Sequence, residues 1–518
     1  MKKSMILLLV CWSLALVSMA EAKEKILFIP IDDRPVCLDY TATSLQLAGW
    51  DIVVPPAAML ASYNRNGDPE ALYRWLTENA LLATDAVVSS DSLIYGGLVP
   101  SRTHHLSSAV LEQRTQNLLE FKNKFPFLRL YVYTTVMRSP RASSAPVEPS
   151  YYAQYGPRIF RLGALQDQKE ISGLTKKEAV ELQSLIQAIP EAVQKDLYER
   201  RGKNLAVTEK LLTGVGQHAF DYFLLGRDDT APRSDAHREA RRLSRLTDTL
   251  PAGKIRFFAG ADQLGLVLLN RAVNKIEQTI PFVYSFYTKG VGGATIPSYE
   301  DDQVRLTVRN HILAAGGFPV PEAQRADLIL AVNTPVDGKT LSATDVTNTT
   351  KLTPAKAAFV QQVKDYVQAG QKVAVADVAY GNGSDNALVH KLFTDNLAWS
   401  LSAYAGWNTA GNTLGYALGQ GLLAPYLTPA QQQELLAVRY LDEWVYEANV
   451  RGKVRQELIW PKHWVDGALK PDERLAAEQA VTKEMLAFAR GYFSEPQLAN
   501  WQFTLPWSRM FEVSVTRK

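Results

Sequence analysis

Asp221-Tyr222-Phe223-Leu224-Leu225-Gly226-Arg227-Asp228-Asp229 is an apolar run that stops at a glycine and delivers an arginine and two adjacent carboxylates. Buried strands that end in polar residues at their carboxyl ends are how α/β proteins assemble their sites. The pattern recurs along the chain. Asp32-Asp33-Arg34-Pro35 follows Ile31, Asp91 follows Ser90, Arg138 follows Met137, and Asp262-Gln263 follows Gly260. Asp377 follows Ala376, and Trp407-Asn408-Thr409 lies just beyond Ala405.

The apolar runs are short and nearly continuous, the mark of strands covered on both faces in a parallel sheet. They span Lys25–Ile31, Asp51–Val54, Ala86–Ser90, Arg129–Val136, Asp221–Leu225, Ile255–Ala259, Phe282–Phe286, Asp327–Val332, Lys372–Ala376 and Ser400–Ala403. Helical periodicity fills the gaps, as in Leu106–Phe121, Lys176–Ile189 and Ser234–Leu246, where Ser234 is placed to cap. This alternation predicts an α/β fold with mostly parallel sheets. Ten candidate strands exceed a plain eight-stranded barrel and suit either a decorated barrel or two tandem α/β domains. The expected division is a signal peptide over 1–22, α/β domains over 23–275 and 276–425, and a mainly helical region over 426–518. The last boundary is marked by long polar-apolar periods such as Pro429–Val450 and Glu473–Tyr492.

The signal reading rests on Lys2-Lys3, the apolar stretch Met5–Val17 and Ala20-Glu21-Ala22 before Lys23. The stretch is shorter than the roughly 20 residues needed to span a bilayer. The expectation is an exported protein, periplasmic or secreted, without a membrane span once the signal is removed. Only Cys37 would then remain, so a large core has to supply the stability, and 47% apolar content over 518 residues can form one. A net charge of +3 with scattered Lys and Arg points away from nucleic acid. The ten Trp and 22 Tyr suit a carbohydrate or other small-molecule substrate.

Asp228 and Asp229 are the candidate catalytic pair. In a turn, like charges at close range raise one pKa and leave one acid protonated near neutral pH. The alternative is that Asp229 merely precedes a helix as a cap. Asp32, Asp33 and Arg34 either hold substrate or form a self-contained salt bridge. Asp91 stands among hydroxyls and glycines in Ser89-Ser90-Asp91-Ser92-Leu93-Ile94-Tyr95-Gly96-Gly97, while Arg138, Asp262 and Asp377 close other strands. Trp407, Asn408 and Asn412 offer a ring face and two amides to a sugar, the asparagines sharing a face if a helix starts there. Ser139–Pro157 reads as a Pro-rich loop that is either a substrate wall, its three tyrosines stacking on a sugar, or a packed surface loop. No cofactor is expected: Asp377–Asn386 lacks the Walker lysine and the dinucleotide glycine spacing. No His-Glu-x-x-His or Cys/His array is present, leaving Asp32, Asp33 and Asp91 as the alternative for an all-carboxylate Mg or Ca site.

Pro30–Val36, Ser90-Asp91 with Tyr95–Gly97, Leu225–Asp229, Gly260–Asp262, Ala376–Asn382 and Tyr404–Gly415 together resemble a bacterial family known as domain of unknown function 4127. The resemblance runs in order along the mature chain and implies no activity. A looser resemblance, of the Asp-Asp dipeptide alone, is to hexosaminidases in which such a pair ends a barrel strand. It implies that Asp228 orients an acetamido group and Asp229 protonates the leaving oxygen, with Tyr287 or Asn408 assisting. The resulting expectation is a glycoside hydrolase; the alternatives are a metal-dependent hydrolase of phosphate or amide bonds and a non-catalytic binding protein.

Overall fold

The computed structural model describes residues 24–141, 147–251 and 253–517. The signal segment expected over 1–22 lies outside them. The first six strands are β1 (Lys25–Ile29), β2 (Asp51–Val53), β3 (Asp85–Ser89), β4 (Arg129–Val136), β5 (Tyr222–Arg227) and β6 (Ile255–Ala259). They form one parallel sheet in the order β2-β1-β3-β4-β5-β6. A second parallel sheet contains β7 (Phe282–Tyr287), β8 (Phe318–Pro319), β9 (Leu328–Asn333), β11 (Val373–Asp377) and β13 (Ala403–Ala405), ordered β8-β7-β9-β11-β13. Two-residue strands β10 (Leu341–Ser342) and β12 (Tyr380–Gly381) pair beside it.

Both sheets are open, so the architecture is two doubly wound sheets and not a barrel. Read from its own first strand, the second sheet repeats the 2-1-3-4-5 order of the first. In such sheets ligands bind beyond the carboxyl ends of the strands, near the point where strand order reverses.

Helix Ala410–Leu423 is buried over its whole length. A methyl group added at Gly415 would overlap Gln263, and one at Gly419 would overlap Leu266, both on the first-sheet side. At Gly421 it would press on Ala374 and Leu328 of the second sheet. The glycines let one helix wedge between the two sheets, and one apolar core runs through Phe28, Leu266, Leu418, Val375 and Trp444.

Helix Asp235–Thr247 begins where Ser234 accepts from the His237 amide at 3.0 Å. The segment after β4 differs from expectation: a helix, Tyr152–Ser172, takes in Pro157. Pro157 sits in its second turn, where only one backbone bond is lost. Tyr151, Tyr152 and Tyr155 pack in an apolar cluster with Leu162 and Leu197 and do not face a substrate cleft. The C-terminal region is mainly helical but ends in an antiparallel hairpin, β14 (Trp501–Thr504) with β15 (Ser514–Arg517). The Pro429–Val450 period divides into an α-helix to Arg439 and a π-helix, Tyr440–Val450.

Candidate active site

A cleft of about 440 Å³ opens where the carboxyl ends of both sheets meet the C-terminal region. The first sheet contributes Arg34 after β1, Arg102 after β3, Arg138 after β4, Asp228 and Asp229 after β5, and Asp262 after β6. Tyr299, Asn382, Asn408 and Asn412 come from segments that follow strands of the second sheet. Arg455, Asp466, Trp507 and Arg509 close it from the C-terminal side.

The acids are held by arginines. Arg102 Nη2 donates to Asp228 Oδ2 at 2.5 Å, and Arg138 Nη1 to Asp229 Oδ2 at 2.9 Å. Buried Glu148 accepts from Arg138 Nε at 2.5 Å and lies 3.6 Å from Arg102, bracing both guanidinium groups from behind. Burial, and then the charge of Asp228, push Asp229 up to about 6 against the pull of Arg138 and Arg102. Because Ser234 caps the helix that follows, Asp229 is not needed as its cap.

Asp262 behaves in the opposite way. Burial raises its pKa, but Arg34, donating to Oδ1 at 2.6 Å, and Trp407 Nε1, donating to Oδ2 at 3.2 Å, hold it below the usual carboxylate range. Asn412 Oδ1 fixes the backbone there, accepting from the amides of Ala261 and Asp262 at 3.1 Å each. The cleft therefore contains one acid that keeps its proton up to about pH 6 and another that is ionised below the usual carboxylate range.

Several expected residues act from behind the lining. Asp32 accepts from Arg34 Nε at 3.0 Å, so the Asp-Arg bridge exists but reaches on to Asp262. Asp91 is buried, accepts from the Thr135 amide and hydroxyl at 3.0 and 3.2 Å, and is raised to about 7, chiefly by burial. Asp33 accepts from Trp507 Nε1 at 2.7 Å. These three aspartates are thus committed to different protein donors. Among the described residues, no three His, Cys, Asp or Glu side chains are grouped to hold a metal ion.

Other placements depart from the sequence reading. The Trp407 ring is fully buried and braces Asp262 instead of offering a face to a sugar. Asn408 precedes the helix that carries Asn412, so the two do not share a helical face, although both line the cleft. Tyr287 lies at the end of β7, outside the cleft lining, within hydrogen-bond reach of Ser285. Asp377 is sealed in the second sheet, where Asn333, Tyr404 and the Asp385 amide donate to it at 2.9, 2.9 and 2.7 Å. Burial, then Asp385, push it up to about 7.

Sequence reasoning missed Arg102, Glu148, Tyr299, Arg455, Trp507 and Arg509. The one local signal was Leu505-Pro-Trp-Ser-Arg-Met-Phe-Glu512, a cluster of aromatic and charged residues in an otherwise helical region. Backbone geometry marks the same place. Tyr299, Asn382, Asn408 and Trp507 all line the cleft with positive φ of 69°, 58°, 55° and 56°. Left-handed backbone is tolerable for asparagine but costs a tryptophan or tyrosine about 1–3 kcal/mol, and such strain clusters at functional sites. The Asn382 amide donates to the Asn408 carbonyl at 2.7 Å, which ties two of these residues together.

No curated protein and no solved structure matches this chain. The model of one family matches residues 26–516, and on that match the chain belongs to the family described as Protein of unknown function (DUF4127).

Proposed function

We propose that the protein is an exported glycoside hydrolase with Asp229 as its general acid. The observation that carries this reading is the pairing of unlike carboxyl groups in one cleft: Asp229 raised to about 6, Asp262 held low. Pairs of acids whose surroundings push their pKa values apart are what glycosidic cleavage requires. Asp229 donates its proton to the leaving oxygen as the C–O bond breaks; water then forms the new C–O bond at the anomeric carbon and returns a proton to the Asp229 carboxylate. Asp262 stays ionised and stabilises positive charge developing on the sugar ring, while Arg102 keeps Asp228 aimed beside Asp229. Asn382 and Asn408 supply amides for sugar hydroxyls.

The hexosaminidase likeness extends no further than the dipeptide, because here the Asp-Asp pair ends a strand of an open sheet. The separate commitments of Asp32, Asp33 and Asp91 favour the glycosidase reading over the metal-dependent one. The buried helix Ala410–Leu423 favours catalysis over a hinged binding protein, since it fuses the two sheets through one core.

The test is a screen of the purified mature protein against aryl glycosides and cell-wall oligosaccharides, with Asp229→Asn as control. Loss of a general acid lowers kcat about 10²–10⁴-fold, with the smallest loss on substrates whose leaving groups need no proton. Full turnover by Asp229→Asn would remove the assignment. Saccharide binding without turnover by either protein would favour the binding reading.

A further inference from the structure

The arginines around the cleft bear on what kind of saccharide it takes, an inference that rests on the carbohydrate reading above. Six arginines line the cleft: Arg34, Arg102, Arg138, Arg141, Arg455 and Arg509. Four have buried carboxylate partners. Arg34 pairs with Asp32 and Asp262, Arg102 with Asp228, Arg138 with Asp229 and Glu148, and Arg509 with Glu512 at 2.6 Å.

The other two do not. Arg455 Nε meets Asp466 at 3.1 Å, and that carboxylate side chain is 41% exposed. One turn before it, Arg451 is already paired with Glu447 and donates to the Phe511 and Asn382 carbonyls at 2.8 Å each. Burial, then the charge of Arg451, depress the pKa of Arg455 against the pull of Asp466 and of Glu447, the carboxylate already paired with Arg451. Arg141 has no ion pair among the described residues and rests over the Phe160 ring at 5.0 Å. Neutral sugars are read by free carboxylates and amides, yet the carboxylates beside Asp229 already hold arginines of their own. A guanidinium paired directly only with a solvent-exposed carboxylate, and another with no ion pair among the described residues, suit an anionic substituent, which a planar fork binds through two parallel hydrogen bonds.

We propose that the cleft takes an acidic saccharide, whose carboxylate or other anionic substituent is held by Arg455 with Arg141 as the second contact. The experiment is calorimetric titration of the Asp229→Asn protein with uronic-acid oligosaccharides and their carboxyl-reduced counterparts. The acidic member of a pair is expected to bind at least tenfold more tightly. Arg455→Gln should weaken the acidic member on the order of ten- to a hundredfold more than its reduced counterpart. Arg141→Gln, at an exposed position, should give a smaller selective loss and covers the case in which Arg455→Gln fails to fold. Equal affinity for both members, a variant that weakens both alike, or no binding of any acidic member would overturn the inference. Because binding is read without turnover, selective binding of acids by a wild-type protein that cleaves nothing would keep this inference and overturn the hydrolase. Cleavage confined to neutral glycosides would do the reverse.

Discussion

Asp229→Asn is expected to stabilise the fold above neutral pH while removing its proposed acid. Burial and the neighbouring charge of Asp228 raise Asp229 from the ordinary 3.8 to about 6. The folded chain therefore binds this proton more tightly than the unfolded chain does. The stability it contributes is complete below about pH 4 and is lost as pH climbs through 6. At about 1.4 kcal/mol per pH unit, the gap between 3.8 and 6 corresponds to ~3 kcal/mol. The Asp229 side chain is only 20% exposed, so solvent screening reduces this little. Asparagine is neutral at every pH, and Arg138 keeps Glu148 as partner when Asp229 is replaced. The variant should match wild type at pH 4 and exceed it by up to ~3 kcal/mol at pH 8. Unfolding entropy of about 2 cal/mol/K per residue makes this a rise of ~3 °C in Tm for a chain of this length. Thermal melts at pH 4, 6 and 8 measure it. A variant that melts at or below wild type at pH 8, or an offset that is the same at pH 4 and 8, would refute the electrostatic account of this site.

Packing and burial set the outcome of three further substitutions. Gly415→Ala should cost about 1–3 kcal/mol, because its methyl group overlaps Gln263 where the wedge helix meets the first sheet. Gly202→Ala, in a helix with nothing near the added carbon, should instead gain roughly 0.5–1 kcal/mol, and melts of both proteins decide whether the wedge is as tight as described. Glu300, pushed up to about 8 chiefly by burial, accepts from the Gly411 amide and is neutral at pH 7. Because the unfolded carboxyl ionises near 4.5, Glu300→Gln should match wild type at pH 4, pull ahead of it progressively between about pH 4.5 and 8, and keep a constant lead above 8; equal pH profiles would count against a buried acid of raised pKa.

Much of the fold was legible because strand identity is a local property. An apolar run such as Tyr222–Leu225 is buried on both faces in whichever sheet it joins, so β1 to β6 appear close to their expected positions. Ser234 also declared itself as a cap, since that hydrogen bond spans three residues. The strand expected at Ser400–Ala403 instead falls at Ala403–Ala405, and the Tyr152 helix was hidden by prolines that sit in or before its first turns.

The sequence by itself determined that polar residues end the strands, and hence that Asp228, Asp229, Asp262, Arg34, Arg138, Asn408 and Asn412 were candidates for one site. Only the tertiary structure decided which of them reach the cleft and which stand behind it. Trp407 and Asp377 end their strands no differently from Asp229, but the neighbours that bury them come from distant parts of the chain. The same holds for Arg102 and Trp507, whose role depends on long-range contacts with Asp228 and Asp33. Local hydrogen bonds and apolar patterning act over a few residues and can be read from them. Electrostatic pairing and burial depend on distances in space, which this chain sets only when the wedge helix Ala410–Leu423 joins its two sheets.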